Sequence, residues 1–138
     1  MTPSYPARAA LRGVASQRLL ALFFVVAGIL HFVFPQAYMR VMPSWLGWPA
    51  ALVALSGIAE IAGGIGVVPA FFRRAAGWGL LALCVAVLPA NVQMLQDGFA
   101  AGKPVWLLAL LLLRLPLQGL LMAWIWHATD LGRVTLRD

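Results

Sequence analysis

The sequence predicts an all-α fold, a four-helix transmembrane bundle whose chain runs up, down, up and down. Hydrophobic residues make up 63% of the 138 residues and charged residues only 10%, whereas soluble proteins contain roughly 25% charged residues. Four apolar stretches are each long enough to cross a bilayer, which takes about 20 residues. Short connections between them favour antiparallel neighbours, and therefore a simple bundle.

Prolines limit most of the predicted helices. Pro35 ends the first helix, Pro49 occupies the first turn of the second, where its missing N–H costs nothing, and Pro69 ends the second. No small-residue cleavage site follows the first apolar run, so we interpret it as a retained helix and not a signal peptide. The predicted organisation is a tail (1–16), a four-helix domain (17–127) with helices at about 17–34, 49–68, 75–95 and 104–127, and a tail (128–138).

The arginines and lysines predict the orientation, because short cytoplasmic loops carry an excess of them. Only Arg40 and Lys103 fall on one side of the predicted bundle. The other side holds Arg8, Arg12, Arg18, Arg73, Arg74, Arg133 and Arg137. We therefore expect a multi-pass protein of a bacterial inner membrane, with both termini cytoplasmic. The net charge of +6 is explained by this bias and does not indicate a nucleic-acid partner.

Glu60 and Arg114 are the two charges deep within apolar stretches. A charge at the centre of a membrane helix costs roughly 2.5–3.5 kcal/mol on insertion scales, so it normally faces the protein interior and has a partner. A rise of about 1.5 Å per residue places both roughly 15–17 Å from the same membrane surface. We therefore expect an ion pair, which either fixes the register of the helices or anchors a polar head group.

Three further polar residues are predicted in the same half of the membrane. His31 and Asn91 lie roughly 5–8 Å deep, and Gln118 is one turn beyond Arg114. His31 is either a hydrogen-bonded interfacial residue or a proton acceptor, and Asn91 and Gln118 suit hydrogen bonds between helices. The predicted ligand-binding residues, called the polar cluster below, are His31, Glu60, Asn91, Arg114 and Gln118. Glycines around Glu60 predict the close approach of a second helix.

Several chemical functions lack the residues they need. Zinc and haem sites require several convergent ligands, so no metal site is predicted. Cys84 is the single cysteine, which excludes an intramolecular disulfide and a CxxC redox motif. No Ser, His and Asp set shares one depth, and the catalytic residues are unassigned, so the sequence does not indicate an enzyme.

Four segments resemble the DoxX-like family of small four-helix membrane proteins: Gly28–Pro35, Ser56–Gly64, Leu88–Asn91 and Arg114–Gln118. Some members are described as membrane subunits of thiosulfate:quinone oxidoreductases, and others help mature periplasmic dehydrogenases. The resemblance implies a redox-associated accessory subunit that binds a hydrophobic ligand such as a quinone through the polar cluster. A membrane or periplasmic redox partner is then expected.

Two alternatives belong to other functional classes. More distant animal relatives act as assembly chaperones, so the polar cluster could instead pair with a helix of a client membrane protein. A small-molecule transporter is the weaker alternative, because four helices enclose a narrow path and a homo-oligomer would be needed. The spans also carry nothing strongly polar beyond Gln118.

Overall fold

The computed structural model describes residues 5–132, with side chains from residue 13 onward, and these residues form five helices and no strand. The helices are α1 (Tyr5–Val33), α2 (Pro35–Met39), α3 (Pro49–Val67), α4 (Ala70–Ala100) and α5 (Val105–Ala128). The predicted all-α up-down-up-down bundle is confirmed. Four of the helices are long and apolar enough to cross a membrane, α1 from Gly13 onward, as expected of a multi-pass membrane protein.

Two helices extend beyond their predicted limits. Helix α1 begins at Tyr5 and not at residue 17, because residues 7–12 are rich in the strong helix formers Ala, Leu and Arg. Residues 70–74, which precede the predicted third helix, belong to the start of α4, so only Val68 and Pro69 separate α3 from α4. The 31 residues of α4 span roughly 46 Å, more than the roughly 30 Å of a hydrocarbon core.

Helices α1 and α3 form the closest pair. A Cβ atom placed on Gly28 would lie 2.5 Å from the carbonyl oxygen of Gly57, and one placed on Gly57 would lie 2.9 Å from the carbonyl oxygen of Gly28. Cβ atoms do not approach backbone oxygens so closely, so only glycine lets these two backbones meet. The close approach predicted beside Glu60 is therefore present, and α1 is the helix that makes it.

The remaining helices form a ring in the order α1, α3, α4, α5, in which α5 returns to α1 through the smallest contact. The short helix α2 lies against α1 and α3 and marks one end of the bundle, called the α2 end; the opposite end is called the far end. The buried apolar core lies towards the far end and consists of Leu20, Phe24, Val67, Leu80, Cys84, Ile125 and Ala128. The α2 end is more open.

The contact between α1 and α5 is made in the half nearer the far end. The indole Nε1 of Trp124 donates to Ser16 Oγ at 2.9 Å, and the rings of Phe23 and Trp124 lie 6.2 Å apart. The junction of α1 and α5, called the seam below, is thus fastened by Trp124.

Arg73 fastens the far end of α3. Its Nε donates to the carbonyl of Val67 and its Nη2 to that of Val68, both at 3.0 Å, and its Nη1 lies 3.7 Å from Asp130 Oδ2. These carbonyls end a helix and need donors from outside it. An arginine interpreted from the sequence as an orientation signal therefore also caps α3.

The basic residues used for the orientation separate along the bundle axis. Arg18, Arg73 and Arg74 lie towards the far end, while Arg40 and Lys103 lie at the α2 end. The other four lie outside the described side chains: Arg8, Arg12, Arg133 and Arg137. The direction in which the bundle crosses the membrane stays a prediction.

Candidate functional site

Two cavities occupy the part of the bundle around the polar cluster. One, of about 570 Å³, lies at the α2 end and is called the α2-end cavity. The other, of about 550 Å³, lies along the seam between α1 and α5 and is called the seam cavity. Both are lined by Leu83, Val87, Glu60, Asn91 and Arg114, so three members of the polar cluster stand where the cavities meet.

The seam cavity is mainly apolar. Helix α1 contributes Phe23, Phe24 and Ala27 to its wall. Helix α5 contributes Leu117, Leu120, Leu121 and Trp124, together with Arg114 and Gln118. Its polar groups are concentrated at one side, where Glu60, Asn91, Arg114 and Gln118 lie, and the wall becomes apolar towards Trp124. Such a cavity suits a molecule with a polar head and a hydrocarbon tail.

The α2-end cavity is bounded by the segment that connects α1 to α3. Tyr38 of α2 and Pro43, Trp45 and Leu46 of the following loop line it, opposite Pro89 and Ala90 of α4. His31 also lines it. The connection between α1 and α3 therefore covers this cavity.

His31 and Glu60 form the close ionisable pair of the site. The Nδ1 atom of His31 lies 3.0 Å from the carbonyl oxygen of Ala27 and 3.4 Å from Glu60 Oε2. Because both neighbours of Nδ1 are acceptors, Nδ1 carries a hydrogen, and Nε2 is the nitrogen that can gain or lose a proton. The side chains are largely buried, with 10% of His31 and 14% of Glu60 exposed.

Tyr38 completes this group. Its ring stacks on the imidazole of His31 with centroids 3.9 Å apart and planes inclined by 23°. Burial raises the pKa of the Tyr38 hydroxyl above its usual value, the negative charge of Glu60 raises it further, and the positive charge of Arg114 opposes the rise. Tyr38 was not among the predicted site residues, because the turn at Phe34 that folds α2 back onto α1 leaves no periodic pattern of apolar residues.

The expected ion pair between Glu60 and Arg114 is wrong. Among the described side chains, the basic group within 4.0 Å of the Glu60 carboxylate is His31. Arg114 Nη1 instead donates to Met94 Sδ at 3.2 Å. The reason is the order of the ring: α3 and α5 are diagonal and do not pack together, whereas α1 is the closest neighbour of α3. Depth placed both charges at one level correctly but could not identify adjacent helices.

Asn91 and Gln118 form the predicted hydrogen bond between helices. Asn91 Nδ2 donates to Gln118 Oε1 at 2.6 Å, and Gln118 Nε2 donates to the carbonyl of Cys84. Cys84 precedes Val85, the residue whose carbonyl loses its helical partner to Pro89. Gln118 is buried, and Arg114, one turn away on the same face of α5, is exposed.

The described residues contain no group of three or more His, Cys, Asp or Glu side chains that could hold a metal ion. The groups able to engage a ligand are hydrogen-bond donors and charges: the guanidinium of Arg114, the Nε2 atom of His31, the amide of Asn91 and the carboxylate of Glu60. They suit recognition of oxygen acceptors and exchange of a proton.

Fold and site together define a small multi-pass helical membrane protein with a polar group of side chains between two internal cavities. Residues 20–129 match the family described as "Domain of unknown function (DUF8561)", and the chain belongs to this family. Neither the curated proteins nor the solved structures include a match. The resemblance to DoxX-like proteins stays a prediction.

Proposed function

We propose that the protein is a DoxX-like accessory membrane protein that binds a lipid-phase ligand with a polar head group, with a quinone as the redox-active candidate. The observation that carries this proposal is the wall shared by the two cavities. Glu60, Asn91 and Arg114 line both, so a head group at this wall would meet polar side chains while its tail lies among apolar ones.

The chemistry of the shared wall fits a quinone head. Quinone carbonyl oxygens accept hydrogen bonds, and a guanidinium has five N–H donors. Arg114 uses one of them on the sulfur of Met94, a weak acceptor. His31 adds Nε2, and its Nδ1 is held by Ala27 and Glu60. Arg114 and His31 are therefore the proposed partners of the two carbonyl oxygens.

The proposed role is accessory. The site can hold and orient a ligand and exchange a proton, and a partner enzyme in the membrane or the periplasm would supply the electron transfer. In the predicted orientation the α2-end cavity opens towards the periplasm of a bacterial inner membrane. A periplasmic redox partner would then reach the ligand from that side.

Native mass spectrometry of the gently solubilised protein, with extraction and identification of co-purifying lipids, tests the proposal. We expect a stoichiometric lipid-phase ligand, a quinone if the bound ligand is redox-active, that is lost from Arg114→Met and His31→Asn variants. Arg40→Met is the matched control, because it removes an exposed arginine at the α2 end that lines neither cavity. Protein that carries only bulk lipid would contradict the proposal.

One observation favours the assembly-factor alternative. Arg114 is exposed on α5 and is surrounded by exposed Leu110, Leu113 and Leu117. This surface could pair with an acidic residue on a client helix. A photo-crosslinking residue at Leu113 distinguishes the two functions: cross-links to one defined membrane protein support the assembly role, and cross-links to lipid alone oppose it.

A further inference from the structure

We propose that the head group held at the shared wall is acidic, a carboxylate or phosphate, and that its tail lies in the seam cavity. The inference rests on the proposed function in one respect, namely that a lipid-phase ligand occupies the site. It adds the charge of the head and the direction of the tail, neither of which follows from the presence of a ligand.

The first argument is the charge of Arg114. No carboxylate among the described residues lies within 4.0 Å of its guanidinium, and its hydrogen-bond partner there is the Met94 sulfur. A cation in an apolar span is strongly disfavoured without a partner. Carboxylates and phosphates match a guanidinium best, because two parallel N–H···O bonds can form. An acidic head supplies the partner that the described protein lacks.

The second argument is the balance of the neighbouring charges. The titratable groups that line the cavities are His31 and Tyr38 in the α2-end cavity, Cys84 in the seam cavity, and Glu60 and Arg114 in both. Glu60 would repel an acidic head, but its carboxylate lies against His31, 3.4 Å from Nδ1, and not against Arg114. The charge that then needs a counter-ion is that of Arg114, and a monoanionic head balances it.

The third argument is the shape of the seam cavity. From Arg114 to Trp124 on α5 is roughly 15 Å along the helix axis, and beyond Gln118 the wall consists of Leu120, Leu121 and Trp124 together with Phe23 and Phe24 of α1. Helices α1 and α5 make the smallest contact in the ring. A hydrocarbon tail can therefore enter the seam cavity laterally from the bilayer while the head group stays at Arg114.

The test is a titration of the full chain in detergent with three probes, followed by native mass spectrometry. Oleate and oleyl alcohol share one hydrocarbon chain and differ in the head, and decylubiquinone supplies a neutral quinone. We expect oleate to bind about tenfold more tightly than oleyl alcohol. Arg114→Met should abolish this preference, Arg114→Lys should retain part of it, and Arg40→Met should leave it unchanged.

A second variant tests the tail. Leu117 lines the seam cavity and is exposed, so Leu117→Trp narrows the cavity from its surface without disturbing the buried core. This variant should lower the affinity for oleate and for oleyl alcohol by the same factor and leave the preference for oleate intact. Unchanged affinity for both would overturn the placement of the tail.

The outcomes separate the two proposals. If neutral probes bind as tightly as oleate, or if Arg114→Met keeps the preference, the acidic head is overturned and the proposed function stands. If oleate binds and decylubiquinone does not, the acidic head is supported and the quinone is rejected. If no probe binds, the proposed function itself fails. Lipid extraction of the purified protein, before any probe is added, distinguishes a fatty acid from an anionic phospholipid as the native acidic ligand.

Discussion

At the scale of single residues, Glu60 has its closest charge partner on a neighbouring helix and not on the diagonal one. Helix rise placed Glu60 and Arg114 at one level, and both line the same two cavities. Asn91, predicted nearer the surface, instead bonds to the deeper Gln118, because α4 continues to Ala100. The sequence could not choose between His31 and Arg114 as the partner of Glu60, since that choice depends on which helices are adjacent. The contact of Tyr38 with His31 was not predictable for a similar reason, because a backbone turn brings the two rings together.

Double-mutant cycles should assign the partner of Glu60. We expect a coupling energy of about 0.5–3 kcal/mol between Glu60→Gln and His31→Asn, because the side chains are in contact, and less than about 0.5 kcal/mol between Glu60→Gln and Arg114→Met. The measurement is the free energy of unfolding in mixed micelles. A larger coupling with Arg114 would mean that the two charges meet in the membrane after all.

Gln118→Leu should destabilise the bundle by about 1–2 kcal/mol, because Asn91 Nδ2 then loses its acceptor and the Cys84 carbonyl loses a donor. Gln93→Leu is the control, since the side-chain partner of Gln93 among the described residues is exposed Asp97 in its own helix, and it should cost less than about 0.5 kcal/mol. Equal losses in the two variants would show that the link between α4 and α5 contributes nothing.

At the scale of helices, prolines predicted most boundaries, while the extensions of α1 and α4 were missed. Apolar patterning reports where a chain is buried in lipid, and it says little about a helix that continues into water. The glycines beside Glu60 were the sequence signal that predicted a contact between two helices, because small residues let helices approach closely. The sequence did not reveal that α1 is the helix on the other side.

Gly57→Ala should separate α1 from α3, because its Cβ would lie 2.9 Å from the backbone oxygen of Gly28. We expect a loss of about 1–3 kcal/mol, as is typical of overpacking. Gly79→Ala is the matched control: its Cβ would meet nothing within 4 Å, so the change should stabilise α4 by about 0.5–1 kcal/mol. The midpoints of thermal unfolding should therefore move in opposite directions, and a shared direction would refute the close contact.

Arg73→Lys separates the two roles of this residue. Lysine keeps the positive charge that favours a cytoplasmic location but lacks the planar fork that reaches the carbonyls of Val67 and Val68. We expect an unchanged orientation and a loss of about 0.5–2 kcal/mol in stability, within the range of lost helix caps. Unchanged stability would show that the cap is unimportant and that only the charge matters.

At the scale of the whole molecule, composition and the number of apolar stretches were sufficient to predict the bundle. The cavities were not predictable, because one lies at the loose junction of α1 and α5 and the other under the segment that follows α2, and no residue pattern records a gap. The position of the polar cluster around them was anticipated in part, since polar residues on four spans had to meet somewhere inside.

Labelling of single cysteines in whole cells should establish the orientation. In a Cys84→Ala background, Lys103→Cys at the α2 end should react with a membrane-impermeant maleimide, whereas Gly132→Cys at the far end should react only after the cells are opened. Both positions are exposed. The reverse pattern would place the α2-end cavity in the cytoplasm and exclude a periplasmic partner.

The seam differs from the other three junctions of the ring in its covalent connections. Chain segments link α1 to α3, α3 to α4 and α4 to α5, but in the described part of the chain α1 and α5 are the first and last helices and no loop joins them. The bundle is thus a split ring, and its free edges can move apart without stretching any loop. Because Trp124 holds these edges together towards the far end, any separation of the two helices would be widest beside Arg114.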